Sequence, residues 1–295
     1  GTLSNTEDCP SNSFATFNPA LVFRSPGHDL NRGNTQCTNS TSSWYWRPAT
    51  LAASSGKFYC EVRISAVGVS INGVCDLDDC TGYSGVDTHF GKTATTPNGR
   101  GFAWYSDDGK IYYNNTSGSV ISTYTNSDIL RMALDIDNGA FYIGKNSNTW
   151  LNGGDPTSGA SRTGAVGTWT VGGMWTFANA VASNAVNQFN FGNGIFGQNN
   201  SVASAGTNAS GNGIFEYDVP TGYTAGHAIT GVGFAPDWTW IKNKGASAHH
   251  TVFDRVRGAT KAIYTNQTDA ETTVSGHITA FGSDGFTLAD NSGKG

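Results

Sequence analysis

The sequence predicts an all-β chain: an antiparallel β-sandwich followed by a smaller β-rich module. Three observations carry this reading. In Gly56–Ile64, the residues Phe58, Cys60, Val62 and Ile64 alternate with Tyr59, Glu61 and Arg63, the period of a strand with one buried face. Between Leu130 and Asn146, Leu130, Met132, Leu134 and Ile136 fall on one face, and Asp137-Asn138-Gly139 supplies a tight turn before the return strand, since Asn and Gly tolerate positive φ. Finally, 39 glycines and only 13% charged residues leave little material for long amphipathic helices.

The elements follow in order. Residues 1 to about 55 are rich in Asn, Ser and Thr, with Phe14, Phe17 and the Trp44-Tyr45-Trp46 cluster set to cover one sheet. From 56 to 192 strand signals are dense. Gly101–Tyr105 and Lys110–Tyr113 flank an Asp107-Asp108-Gly109 turn, a second hairpin. Alternation sends Trp104 and Tyr105 to opposite faces, so only one of them is core. Trp169 and Trp175 precede a closing strand at Val186–Gly192, and residues 193–213, rich in Gly, Asn, Ser and Ala, read as a linker. The first domain therefore spans 1–226 and the second 227–295. In the second, Trp238, Trp240 and Lys242 share one strand face while Thr239 and Ile241 share the other, with further strands at Val252-Phe253, Lys261–Tyr264 and Gly285–Leu288. A helical turn is expected near Asp269–Thr273. No tandem repeat is present.

Composition restricts function. A net charge of −5 with 17 Lys plus Arg and no basic stripe argues against nucleic-acid binding, which requires clustered cations. No apolar run approaches the roughly 20 residues that span a bilayer, so membrane insertion is not expected, and no signal peptide is visible. The chain opens at Gly1 without an initiator Met and is read as processed, trimmed or part of a longer product. Its five cysteines, Cys9, Cys37, Cys60, Cys75 and Cys80, are odd in number, so at least one thiol is unpaired or joins another chain. Cys60 lies on an inward strand face, where it acts as a small apolar residue. Cys75 and Cys80 are close enough in sequence to bridge a small loop, and compartment decides whether they do.

No constellation requires catalysis. Asp135 and Asp137 flank Ile136 and point the same way, as an acid/base pair would, but Asp137 is accounted for by the turn it opens. Asp76, Asp78 and Asp79 lack the Gly and distal Glu of a Ca²⁺-binding loop and read as a solvated loop. His249-His250, His28 and His89 have no third partner at metal spacing, so no cofactor or metal is expected. Six Asn-x-Ser/Thr sequons, at Asn39, Asn114, Asn115, Asn199, Asn208 and Asn266, are expected by chance at this composition and matter only for a secreted chain. Sugars stack on exposed aromatic faces while Asn and Asp bind their hydroxyls. Trp44, Tyr45, Trp46, Trp104, Tyr105, Tyr112 and Tyr113 are the aromatic candidates, most of them core. The ligand-contact set is Trp44, Trp46, Asp76, Asp78, Asp79 and Tyr83, and loops near 70–90 and 193–213 are the candidate contact surfaces.

Several motifs, in order, also resemble the SPRY (B30.2-like) sandwich of bacteriophage virion proteins: Pro10–Pro19, Ser54–Val62, the Asp135–Gly139 hairpin, Trp150-Leu151-Asn152-Gly153, Asp155-Pro156 and Phe189-Asn190-Phe191-Gly192. Gly233–Trp238, Ile241-Lys242-Asn243, Arg257–Lys261 and Ser283–Leu288 are similar to a small β module that follows SPRY in tail-associated proteins. The stretch between Tyr223 and Gly231 is shorter than that pattern. The chain also stops where another strand is expected, which would leave an edge open to pairing. The resemblance implies a SPRY/concanavalin-like sandwich and a non-enzymatic protein on the virion surface, tail or capsid, made in the host cytoplasm. Its partners would be other virion subunits and a host cell-surface glycan or protein. By analogy with tail fibres it would be a homo-oligomer, a trimer. A secreted lectin-like module and a self-assembling extracellular filament subunit are the alternatives.

Overall fold

The computed structural model describes residues 14–20, 29–80, 90–91, 101–114, 116–197, 200–203, 213–223, 229–230, 236–242, 249–274, 277–282 and 285–288. They belong to two compact units that meet in sequence between Gly226 and His227. The first unit contains β1 (Asp29–Asn31), β2 (Gln36–Asn39), β3 (Tyr45–Pro48), β4 (Lys57–Ala66), β5 (Val69–Asp76), β6 (Gly101–Tyr105), β7 (Lys110–Tyr113), β8 (Thr116–Val120), β9 (Ile129–Asp135), β10 (Ala140–Lys145), β11 (Gly167–Thr168), β12 (Trp175–Ala182), β13 (Ala185–Asn190), β14 (Ile195–Phe196) and β15 (Asn200–Ser201). The second contains β16 (Ile229–Thr230), β17 (Trp238–Lys242), β18 (His250–Asp254), β19 (Lys261–Tyr264), β20 (Thr272–Thr273), β21 (Ile278–Phe281) and β22 (Gly285–Leu288).

The fold is all-β, and among the described residues every pairing between these strands is antiparallel. In the first unit, a seven-stranded sheet runs β1-β2-β13-β4-β9-β10-β11 and a six-stranded sheet runs β3-β12-β5-β6-β7-β8. One core joins them: Val62, Met132, Leu134 and Phe189 from the first sheet meet Val74, Trp104, Phe177 and Val181 from the second. This is the sandwich solution to burying one face of each sheet.

The β9–β10 hairpin forms in the expected register, Asp135 opposite Ala140, with Gly139 at φ +64°. A Cβ on Gly139 would sit 2.4 Å from the Trp169 carbonyl oxygen, so the position requires glycine twice over. The turn is tied to the start of β4. Asp137 Oδ1 accepts from Gly56 N–H at 2.7 Å, Ile136 N–H donates to Gly56 O, and buried Asp135 pairs with Lys57 Nζ at 2.9 Å. The two aspartates flanking Ile136 are therefore both engaged in holding strand to turn. Trp104 is core while Tyr105 is half-exposed, as alternation requires.

Several expectations are corrected. Residues 69–76 are not loop: β5 is an interior strand of the second sheet, whose outer face is also covered, by a cluster of Trp46, Ile71, Cys75, Phe90 and Ala180. Burial on both faces leaves no alternating pattern to read. Residues 193–197 and 200–203 are likewise folded, with Phe196 buried in the short β14–β15 hairpin and Asn200 Nδ2 donating to Gln188 Oε1. The expected turn at 269–273 is not helical: β-branched Thr272 and Thr273 pair with Ala262 and Lys261. Helical turns occur instead at Leu77–Cys80, Leu151–Gly153 and Gly159–Ser161.

An amide network crosses the sandwich interior. Asn72 Oδ1 accepts from Asn179 Nδ2 (3.0 Å) and Asn187 Nδ2 (3.4 Å). Its Nδ2 donates to Ser70 Oγ and Tyr124 Oη, and Tyr124 Oη donates on to the Ser70 carbonyl at 2.7 Å. All five residues are buried, so each bond replaces lost hydration. Asn72→Ala takes one acceptor from each of the Asn179 and Asn187 amides, which keep the Ile71 carbonyl and Ser70 Oγ, and is expected to lower unfolding free energy by roughly 2 kcal/mol. Urea unfolding checks this, and a loss within the noise of surface substitutions would contradict it.

Candidate functional site

The outer face of β4 and β9 carries Tyr59, Glu61 and Arg131, with Glu61 and Arg131 directly opposite each other. Alternation marks this face as solvent-facing; the structure buries it. The segment 213–223, past the predicted linker, lies across it as a strap. Phe215 packs edge-on against Tyr59 with ring centroids 4.8 Å apart, and Val219 and Tyr223 are buried. The strap is anchored through its backbone. Glu61 Oε2 accepts from Glu216 N–H (2.8 Å), and Oε1 from Tyr217 N–H (2.9 Å) and Tyr59 Oη–H (2.9 Å).

Arg131 completes the arrangement. Its Nε–H donates to Tyr59 Oη, one terminal nitrogen to Ser147 O (2.7 Å) and the other to Asp218 O (3.0 Å). The guanidinium lies 4.2 Å over the Trp150 ring, a cation–π contact strengthened by desolvation. Asn148 and Asp218 exchange reciprocal bonds of 3.0 Å, and Tyr223 Oη–H reaches Pro156 O. Loop 147–157 and strap 213–223 are thus held to one buried cation, and between them lies a groove of about 450 Å³. Arg131, Asn148, Trp150, Thr157, Asp218 and Thr221 contribute to its lining. An indole among amide, hydroxyl and carboxylate groups suits a ligand with both apolar faces and hydroxyls.

Burial pushes the Glu61 carboxyl up to about 7, opposed by the Glu216 and Tyr217 N–H groups, Tyr59 and Arg131. The Tyr59 hydroxyl is raised well above its ordinary range, first by burial and then by Glu61.

The sequence-predicted contact residues do not form this site. Trp46 is corrected: only 1% exposed, its ring is core to the cluster on the outer face of the second sheet and offers no face to a ligand. Asp76 is also corrected. It is buried at the end of β5, where Oδ1 accepts from Asp78 and Met174 N–H, so it closes a turn. Trp44 is half-buried, edge-on to Tyr105 at 5.8 Å. Asp78 is exposed. Tyr83 and the Asp79 side chain lie outside the described residues. Among the described residues, no three metal-ligating side chains converge. The groove residues escape sequence reading because Glu61 and Arg131 look like ordinary outward charges. The one available signal is the apolar spacing of Phe215, Val219 and Tyr223 beyond a supposed linker.

A family profile described as "Domain of unknown function (DUF7483)" matches residues 210–295. No curated protein matches the chain. Among solved structures, the SPRY domain of human HERC1 is similar over 59% of this chain and 96% of that one, at 15% identity and a TM-score of 0.40. Stonustoxin is similar over 60% of this chain and 27% of that one, also at 15% identity and 0.40.

The raised Glu61 pKa sets a pH dependence. Because its folded value (about 7) exceeds its ordinary 4.5, the stability linked to its proton is fully present below pH 4.5 and is lost as pH rises through 7. The full swing is roughly 3 kcal/mol. Thermal unfolding from pH 5 to 8.5 should show the wild type losing stability relative to Glu61→Gln as pH increases. Parallel profiles would contradict the assignment.

Proposed function

We propose that this chain is a non-enzymatic attachment protein of a bacteriophage virion. It would be carried on the tail or capsid exterior as a homo-oligomer and use the loop end of its sandwich to hold a host-surface glycan or a neighbouring virion subunit. The observation that carries this reading is the groove between loop 147–157 and strap 213–223, fixed on both walls by Arg131. A ligand loses less free energy on binding to walls that are already ordered, and many copies on one particle raise avidity further.

The non-enzymatic part of the reading rests on how the ionisable groups are used. Both Glu61 oxygens already accept backbone N–H bonds, and Asp135 is committed to Lys57 and to Asn138. A general acid or base must reach a substrate proton; these carboxylates reach their own chain. The virion assignment is supported by the ordered sequence motifs that resemble phage SPRY proteins.

Two arms test the proposal. Antibody against the chain should decorate intact phage particles in electron micrographs. Purified protein should bind a bacterial surface polysaccharide from a panel, with Trp150→Ala and groove-filling Thr221→Arg each weakening binding at least about tenfold. Thr221 is exposed, so its variant is expected to fold. Release of reducing ends from any polysaccharide, or binding indifferent to both substitutions, would overturn the reading.

A further inference from the structure

The turn that fastens β9 to β4 holds three groups whose chemistry an ion pair does not exhaust. Lys57 and Asp135 are partners in register across the two strands. Lys57 Nζ stands 2.9 Å from Asp135 Oδ2, and Asn138 Nδ2 donates to that same oxygen at 2.8 Å. Asp135 Oδ1 accepts the Asn138 backbone N–H at 3.0 Å, so the carboxylate grips Asn138 at both its main chain and its side chain. An amine and a carboxamide are thereby held on one carboxylate oxygen. Nucleophile, proton acceptor and electrophile stand in one cluster.

The setting is dry. The Asp135 side chain has no exposed surface, and that of Lys57 keeps only 22% of its own. The buried ring of Tyr223 lies 5.7 Å from Nζ. In such surroundings an ion pair and its neutral amine–acid counterpart lie closer in free energy than in water. The backbone nucleophile of an Asn-Gly pair is occupied here, because Gly139 N–H donates to Ile136 O. A second trio of the same residue types, Lys145, Asp128 and Asn146, lacks this arrangement. There Nζ stands 3.9 Å from Asp128 Oδ2 and donates to Thr123 O, while Asn146 Nδ2 takes the other carboxylate oxygen.

We propose that Lys57 and Asn138 become joined by an intramolecular isopeptide bond, with Asp135 moving the proton. Asp135 takes a proton from the Lys57 ammonium, and the freed electron pair on Nζ attacks Asn138 Cγ. A second proton passes from Nζ to Nδ2 as the Cγ–Nδ2 bond breaks. Ammonia departs and carries the first proton away from Asp135 as ammonium, so the carboxylate is restored. One C–N bond replaces another, and nothing is oxidised or reduced. The link closes the chain between 57 and 138 and fastens the start of β4 to the β9–β10 turn, a constraint that acts on the unfolded chain.

Intact mass and tryptic peptide mapping of the full chain, both under denaturing conditions, test this. The wild type should be lighter than its sequence by one ammonia. Trypsin should fail to cleave after Lys57, and a branched peptide should join Lys57 to Asn138. Lys57→Arg keeps the positive charge beside Asp135, and Asp135→Asn removes the proton carrier. Each should restore the full mass and the linear peptides, and Lys57→Arg should lower the thermal midpoint by at least about 5 °C. Linear peptides at both positions in the wild type would overturn the proposal, a result that depends on no variant folding. So would an ammonia loss that persists in Lys57→Arg and is cleaved by hydroxylamine, which marks a succinimide at an Asn-Gly pair.

Discussion

Glu61 and Arg131 face each other across neighbouring strands in the middle of a sheet, and both are buried. A buried charge is tolerated only when its hydrogen-bonding capacity is met, and here the requirement is met largely by main chain. The carboxylate takes the Glu216 and Tyr217 amides, the guanidinium takes the Ser147 and Asp218 carbonyls, and Tyr59 links the two side chains. Removing one partner would leave the other charge exposed to a low dielectric. That constraint fixes where the strap runs, how loop 147–157 sits and hence the width of the groove. It also explains why a stretch that begins in Gly- and Asn-rich sequence ends as a buried part of the first unit.

The strand framework was legible in the sequence wherever one face of a strand is apolar and the other polar. β4, β9 and β17 follow their alternation, and the Asp-Asn-Gly and Asp-Asp-Gly turns fall between the strands they were expected to join. β5 and β12 were not legible. They are buried on both faces, and their inward positions include Ser70, Asn72 and Asn179, residues that propensity assigns to turns. The core accepts them because they bond to one another and to Asn187 of the facing sheet.

The candidate site was less legible than the fold, for a related reason. Sequence reasoning selected aromatic and acidic residues near supposed loops, and burial removed two of them. Trp46 packs into the second sheet's outer cluster, and Asp76 caps a strand end. What makes Arg131 and Trp150 important is a contact with residues some 70 to 90 positions away, which no local pattern encodes. Trp238 and Trp240 are the opposite case. Their shared face was visible from alternation alone, and their exposure of more than half is what distinguishes them from core.

The most direct measurement is amide hydrogen exchange at Glu216 and Tyr217. If their N–H groups are locked onto the Glu61 carboxylate, their protection should approach that of the central β4 and β9 amides and open only with the first unit as a whole. Exchange at the rates of an exposed loop would mean that the strap is not fixed, and the rigid groove would go with it.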